Sequence, residues 1–216
     1  MFLRFFGSAM AAFLDWSVGM FVVYIGSLLF DFDPSIPRYV VGGLLALAPD
    51  SDVLYALLRK GMLNDMHHEI LTHRPLVILP VATLVGFGIG GALWATIVFL
   101  CLLCHYLHDT EGLGGGGIAW FWPFSRKYFS PITGIVPPEH SLQAKWSGRA
   151  DEWFSLWFRP SALSVREIGL WSLLFGISTG GLFGWQLGIL AALAVWLGTV
   201  LIWILRAYQT SRSYYE

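Results

Sequence analysis

The chain reads as an all-α, polytopic membrane protein with about six transmembrane or re-entrant helices and a long interfacial loop between the fourth and fifth. Three observations predict this class. Of 216 residues, 56% are hydrophobic and only 12% are charged, too apolar for a soluble globular domain. Apolar runs recur at about the twenty-residue length that a bilayer's hydrocarbon core demands. The ionisable residues are gathered in short clusters near the ends of those runs.

The first span is expected over 8–30. Arg4 followed by an apolar stretch resembles a signal peptide, but Asp15 interrupts the stretch and apolarity continues to Phe30, so an uncleaved span is the better reading. The second span is expected over 39–58, the third over 76–90 and the fourth over 91–108. The last two meet at Gly88, Gly90 and Gly91, which predicts a tight hairpin. Residues 168–184 and 186–206 form a C-terminal helical hairpin (168–206), and no internal repeat divides the single membrane domain 1–216.

With the N-terminus in the cytoplasm, Arg4, Arg59, Lys60, Arg74, Arg126, Lys127, Lys145, Arg149, Arg159, Arg166, Arg206 and Arg212 fall inside and only Arg38 falls outside. The positive-inside bias therefore predicts cytoplasmic termini, with 59–75 and 109–167 on the same side. A net charge of −1 supplies no basic field for nucleic acid. The long segment 109–167 is expected to carry function. Within it Trp153, Phe154, Trp157 and Phe158, beside Asp151, Glu152 and Arg159, predict a helix in the headgroup layer, or an aromatic belt without a ligand.

Three segments carry possible chemistry. The second span ends in Ala48-Pro49-Asp50-Ser51-Asp52, two carboxylates at a membrane edge, where ionisable groups are costly and hard metals find oxygen ligands. Next comes His67-His68-Glu69-Ile70-Leu71-Thr72-His73-Arg74-Pro75. It differs from H-E-x-x-H, because His68 and His73 are five apart and need a turn between them. The fourth span ends in His105-Tyr106-Leu107-His108-Asp109, where His105 and Asp109 share one helical face.

Together these predict a site in which Asp50, Asp52, His68, His73, His105 and Asp109 hold one or two divalent ions, zinc or manganese foremost, with iron also suited to the ligands. Glu69 is the candidate to orient or deprotonate a water. His67, His108 and Thr72 are candidate outer partners of the ligands, and His108 is equally an alternative ligand or simply an interfacial side chain. After Asp109 come Glu111, Gly112 and the run Gly114 to Gly117, then an aromatic segment ending in Arg126 and Lys127. These two cations could steady an anionic headgroup. Cys101-Leu102-Leu103-Cys104-His105 also matches the C-x-x-C-H haem motif, but it lies inside a span whose end is expected in the cytoplasm.

The ordered set Pro49-Asp50-Ser51-Asp52, His68 with Thr72-His73, His105 with Asp109, and Gly112 with Trp122-Pro123-Phe124-Ser125-Arg126-Lys127 resembles the LexA-binding, inner-membrane-associated metal-dependent hydrolases. The resemblance covers about residues 39–130. It departs from the family at Arg74, where members often carry serine, and in the first helix, where members often carry a histidine and this chain's first is His67. It implies a multi-pass hydrolase of the cell inner membrane. Its LexA label is not carried to this protein.

The leading expectation is a metallohydrolase acting on an ester or phosphoester of a lipid or lipid-linked substrate at the membrane surface. A membrane adaptor or sensor with a structural metal is the first rival. An ion or proton transporter is the second, and it requires polar residues to continue through the spans.

Overall fold

The computed structural model describes residues 2–51, 71–110, 116–142, 144, 149, 152 and 155–212. Five α-helices are seen among them: α1 Phe2–Phe30, α2 Ile36–Ala46, α3 Pro75–Thr110, α4 Ala162–Phe183 and α5 Trp185–Arg212. The expected count of six is not matched. Among the described residues three stretches suffice by length and apolarity to cross a bilayer, Ala12–Phe30, Pro75–Thr110 and Trp185–Tyr208, and Ile36–Ala46 is a shorter apolar helix.

Helix α1 ends where Asp31 takes a left-handed φ of 51° and the Phe32 amide donates back to the Ser27 carbonyl at 3.2 Å. That six-to-one bond is the Schellman stop, with aspartate in the position glycine usually fills. Helix α2 starts after Ser35 with Pro37 in its first turn, a position where the missing amide hydrogen costs nothing. It ends at Ala46, and a 3-10 turn over Ala48–Asp50 follows. The expected second span, 39–58, is therefore corrected. Pro49 lacks the amide hydrogen to extend the α-ladder, so the chain tightens into a turn while still apolar.

α1 and α2 cross in close contact. A Cβ placed on Gly19 would lie 2.0 Å from the Gly42 carbonyl oxygen, a fit open only to glycine. Cys101 of α3 donates its thiol to the same Gly42 carbonyl, 3.7 Å away.

Helix α3 doubles back. Gly90 and Gly91 have non-helical dihedrals, and Gly91 has a φ of 67°. Leu79 shares one buried cluster with Val98, Leu102 and Tyr106. A straight helix would put Leu79 and Leu102 about 35 Å apart, so the run contains two packed arms. The hairpin expected at these glycines is the feature that breaks this 36-residue run.

The segment after α3 departs from an all-α class. β1 (Tyr128–Ser130) pairs antiparallel with β2 (Gly134–Val136), Phe129 opposite Ile135, and Phe129 also bridges Ile118. Further on, Leu156–Phe158 is a 3-10 turn whose Trp157 and Phe158 are buried in a cluster with Met10, Leu163 and Ile168. Trp203 of α5 donates its indole hydrogen to the Trp157 carbonyl at 3.0 Å. These two aromatics are core, which corrects the expected headgroup helix or belt; Asp151, Trp153 and Phe154 lie outside the described residues. α4 begins earlier than expected, capped by Ser161 and Ser164, whose side chains each accept from the other's backbone amide.

Candidate metal centre

Three elements deliver four side chains to one point. The turn after α2 brings Asp50, the 3-10 turn Leu71–His73 brings His73, and the last turns of α3 bring His105 and Asp109. The i, i+4 spacing of the last pair is used as the sequence predicts: His105 Nε2 lies 3.2 Å from Asp109 Oδ2. His73 Nε2 is 3.3 Å from Asp109 Oδ2 and 3.5 Å from Asp50 Oδ1. The two imidazole Nε2 atoms are themselves 3.5 Å apart, and His105 Nε2 is 3.5 Å from Asp50 Oδ1.

Five donor-to-donor separations thus fall between 3.2 and 3.5 Å. Ligands at about 2.0–2.1 Å around a tetrahedral ion are separated by about 3.3–3.4 Å, so each of these five contacts has the length expected between neighbouring ligands of a zinc-type ion. The donor set, two imidazoles and two carboxylates, suits a borderline or hard divalent metal. Asp50, His73 and His105 form a compact group of potential ligands, with Asp109 in contact with both histidines. His73 and His105 are fully enclosed, whereas the Asp50 side chain is 30% exposed and marks the open side.

The turn that carries His73 is tied to α3 from behind. Tyr106, itself buried, donates its hydroxyl to the Thr72 carbonyl at 2.7 Å. The Thr72 hydroxyl sits 3.4 Å from His73 Nδ1. Gly117 donates to the Asp109 carbonyl at 2.9 Å and Trp120 donates to the Thr110 hydroxyl at 2.8 Å, so the segment after α3 folds against the end that carries the ligands. Arg74, next to His73, lies over the rings of Trp122 and Tyr128, at 6.0 and 5.9 Å from their centroids. The residue that departs from the family pattern therefore joins the site to this segment.

Of the six expected ligands, Asp50, His73, His105 and Asp109 come together. Asp52 and His68, with Glu69, His67, Glu111 and Gly112, lie outside the described residues. His108 is not a fifth donor to this group: its Nε2 is 2.8 Å from Glu167 Oε2 and its Nδ1 is 3.6 Å from Asp15 Oδ1. Arg126 and Lys127 are exposed beside the outward Phe121 and Phe124. The cysteine motif does not serve a haem. Cys101 is wholly buried between α1, α2 and α3, and His105 Nε2 faces His73 and the carboxylates.

Sequence reasoning missed Asp15 and Glu167, buried carboxylates on α1 and α4 that face His105 and His108. The signal was present in both: a lone carboxylate inside the first apolar run, and another at the head of the fifth.

Helices long enough to cross a bilayer and a cluster of two buried histidines with a buried and a half-buried aspartate define a multi-pass membrane protein with a candidate metal centre. The chain belongs to the YdjM inner membrane protein family, whose pattern matches residues 6–212. It is 34% identical over 104 residues to inner membrane protein YbcI of Escherichia coli strain K12, an alignment covering 44% of this chain and 60% of that protein. No solved structure is significantly similar to it.

Proposed function

We propose that this inner membrane protein is a metal-dependent hydrolase, acting on an ester or phosphoester of a lipid or lipid-linked substrate. The carrying observation is the set of five donor separations of 3.2–3.5 Å among Asp50, His73, His105 and Asp109. A bound divalent ion supplies Lewis acidity and lowers the pKa of a coordinated water. The chain's own residues do the rest. Asp50 is the ligand on the exposed side, where exchange with substrate is easiest. Glu69, four residues before His73, is the proposed water-orienting base, and His68 and Asp52 are proposed to complete or double the site.

Support for a lipid substrate comes from the surroundings. Phe121, Phe124, Ile132 and Ile135 are exposed on the segment that packs against the ligand end of α3, and Arg126 with Lys127 stands beside them. An apolar surface with cations suits an acyl chain and an anionic headgroup, as it would in the cytoplasmic leaflet. Both termini are proposed to be cytoplasmic, from the distribution of basic residues.

One observation favours a second reading. Four protein donors can saturate a tetrahedral ion, which is the mark of structural sites, and the chain would then be a membrane adaptor or sensor. Turnover separates the two. Purified protein in lipid nanodiscs is incubated with phospholipids and lipid-linked phosphoesters, with and without chelator and restored metal. Chelator-sensitive product, absent in Asp109→Ala, supports the hydrolase; metal-loaded protein inert on every ester and phosphoester class supports the structural site.

A further inference from the structure

Asp15 sits in the apolar span of α1, where an ionised carboxylate is costly and is retained only with partners. It is 4% exposed, and its two oxygens are divided between two histidines of α3. Oδ2 is 3.5 Å from His105 Nδ1 and Oδ1 is 3.6 Å from His108 Nδ1. Both of these ring nitrogens are buried and have no hydrogen-bond partner among the described residues, with the Asp15 oxygens just beyond hydrogen-bond length. His108 in turn reaches Glu167 Oε2 at 2.8 Å through Nε2, and Glu167, 1% exposed, pairs through its other oxygen with Arg166.

His105 therefore has two distinct sides. Nε2 faces His73, Asp50 and Asp109, and Nδ1 faces only Asp15 among the described carboxylates. An imidazole that coordinates through Nε2 carries its hydrogen on Nδ1, and that hydrogen needs an acceptor. A ring shift of about half an ångström brings the 3.5 Å contact to hydrogen-bond length.

We propose that Asp15 is the positioning residue of the metal centre, accepting from His105 Nδ1, and that His108 and Glu167 hold Asp15 in place from α3 and α4. This rests on the metal-centre reading above. Asp15 touches neither the ion nor the substrate. It fixes the His105 tautomer and ring plane, and it makes α1 and α4 part of a site whose ligands come from elsewhere. The chain Glu167, His108, Asp15, His105 accounts for both buried carboxylates that the ligand set leaves unexplained, and for the placement of His108 away from the ligands.

The test is cobalt(II) binding to chelated, detergent-purified full-length protein, read as affinity by chelator competition and as the visible ligand-field spectrum. His73→Ala is expected to abolish the signal. Asp15→Asn is expected to weaken binding about 10- to 100-fold and to shift the absorption maximum. Asp15→Glu restores part of the affinity, and Glu167→Gln gives a smaller loss. Wild-type affinity and an unmoved spectrum in Asp15→Asn, with His73→Ala still giving no cobalt signal, overturn the proposal even if thermal stability falls, because a merely structural ion pair behaves that way. If Asp15→Asn does not accumulate in membranes, Glu167→Gln decides on the same two readouts. A wild-type protein that binds no cobalt or zinc refutes the metal centre itself and this inference with it.

Discussion

Replacing Gly42 by alanine is the most quantitative challenge to this architecture. A Cβ there would stand 2.5 Å from the Gly19 carbonyl oxygen and 2.6 Å from Val23 Cγ2, where ordinary contact begins near 3.4 Å. The nearer obstacle is backbone, so α1 and α2 must part by about an ångström, and overpacking of this kind costs about 1–3 kcal/mol. The displacement also reaches the metal centre, since α2 leads within eight residues to Asp50 and α1 carries Asp15. Metal sites tolerate about 0.2 Å, so ion affinity is expected to fall at least about tenfold. Gly198→Ala is the internal control, because nothing lies within 4 Å of a Cβ there and the change adds helix propensity worth roughly 0.5–1 kcal/mol. Thermal unfolding in one detergent, with chelator competition, measures both. Gly42→Ala matching Gly198→Ala in melting temperature and affinity would refute the close crossing.

Four further outcomes are expected. Tyr106→Phe removes the donor 2.7 Å from the half-buried Thr72 carbonyl, costs about 0.5–1.5 kcal/mol in thermal unfolding, and loosens the turn that carries His73. Trp157→Ala empties a site that is 1% exposed and costs about 3–5 kcal/mol in the same assay, whereas a headgroup anchor would cost far less. Arg74→Ala removes the cation over Trp122 and Tyr128, and tryptophan fluorescence with limited proteolysis should report a loosened 118–136 segment while Arg74→Lys retains part of the contact. The Glu152 carboxyl is held below the usual range by its hydrogen bonds from Arg149. Its folded value lies below the unfolded one, so its contribution is present above the ordinary carboxylate range and lost as pH falls through the folded value. Both side chains are exposed, so Arg149→Ala should leave the melting temperature at pH 7 unchanged.

Much of the site could be read from the residues themselves, because polar groups stand out against apolar surroundings. Asp50, His73, His105 and Asp109 were expected as ligands, and the structure brings those four together. The reversal at Gly90 and Gly91 was legible for a similar reason, since glycines in an apolar run permit a dihedral such as the positive φ of Gly91 that side chains rarely adopt. Hydropathy misled at the second span, because apolarity continues past Pro49 while the hydrogen-bond ladder does not. It misled again at Trp157 and Phe158, since a belt aromatic and a core aromatic have one composition and differ only in what covers them. Asp15 stayed hidden because its meaning lies in two histidines some ninety residues away, a distance no local pattern spans.

The proposed centre requires that Asp50, His73, His105 and Asp109 bind a metal ion. Its most direct test is elemental mass spectrometry on protein purified gently, without chelator, from membranes, beside His73→Ala and Asp109→Ala. About one transition-metal ion per chain is expected, or two if His68 and Asp52 complete a second position, lost in both variants. Metal-free wild-type protein that takes up neither zinc nor manganese on addition would refute the centre, and would leave these four side chains as an ion-pair network with Asp50 at its exposed edge.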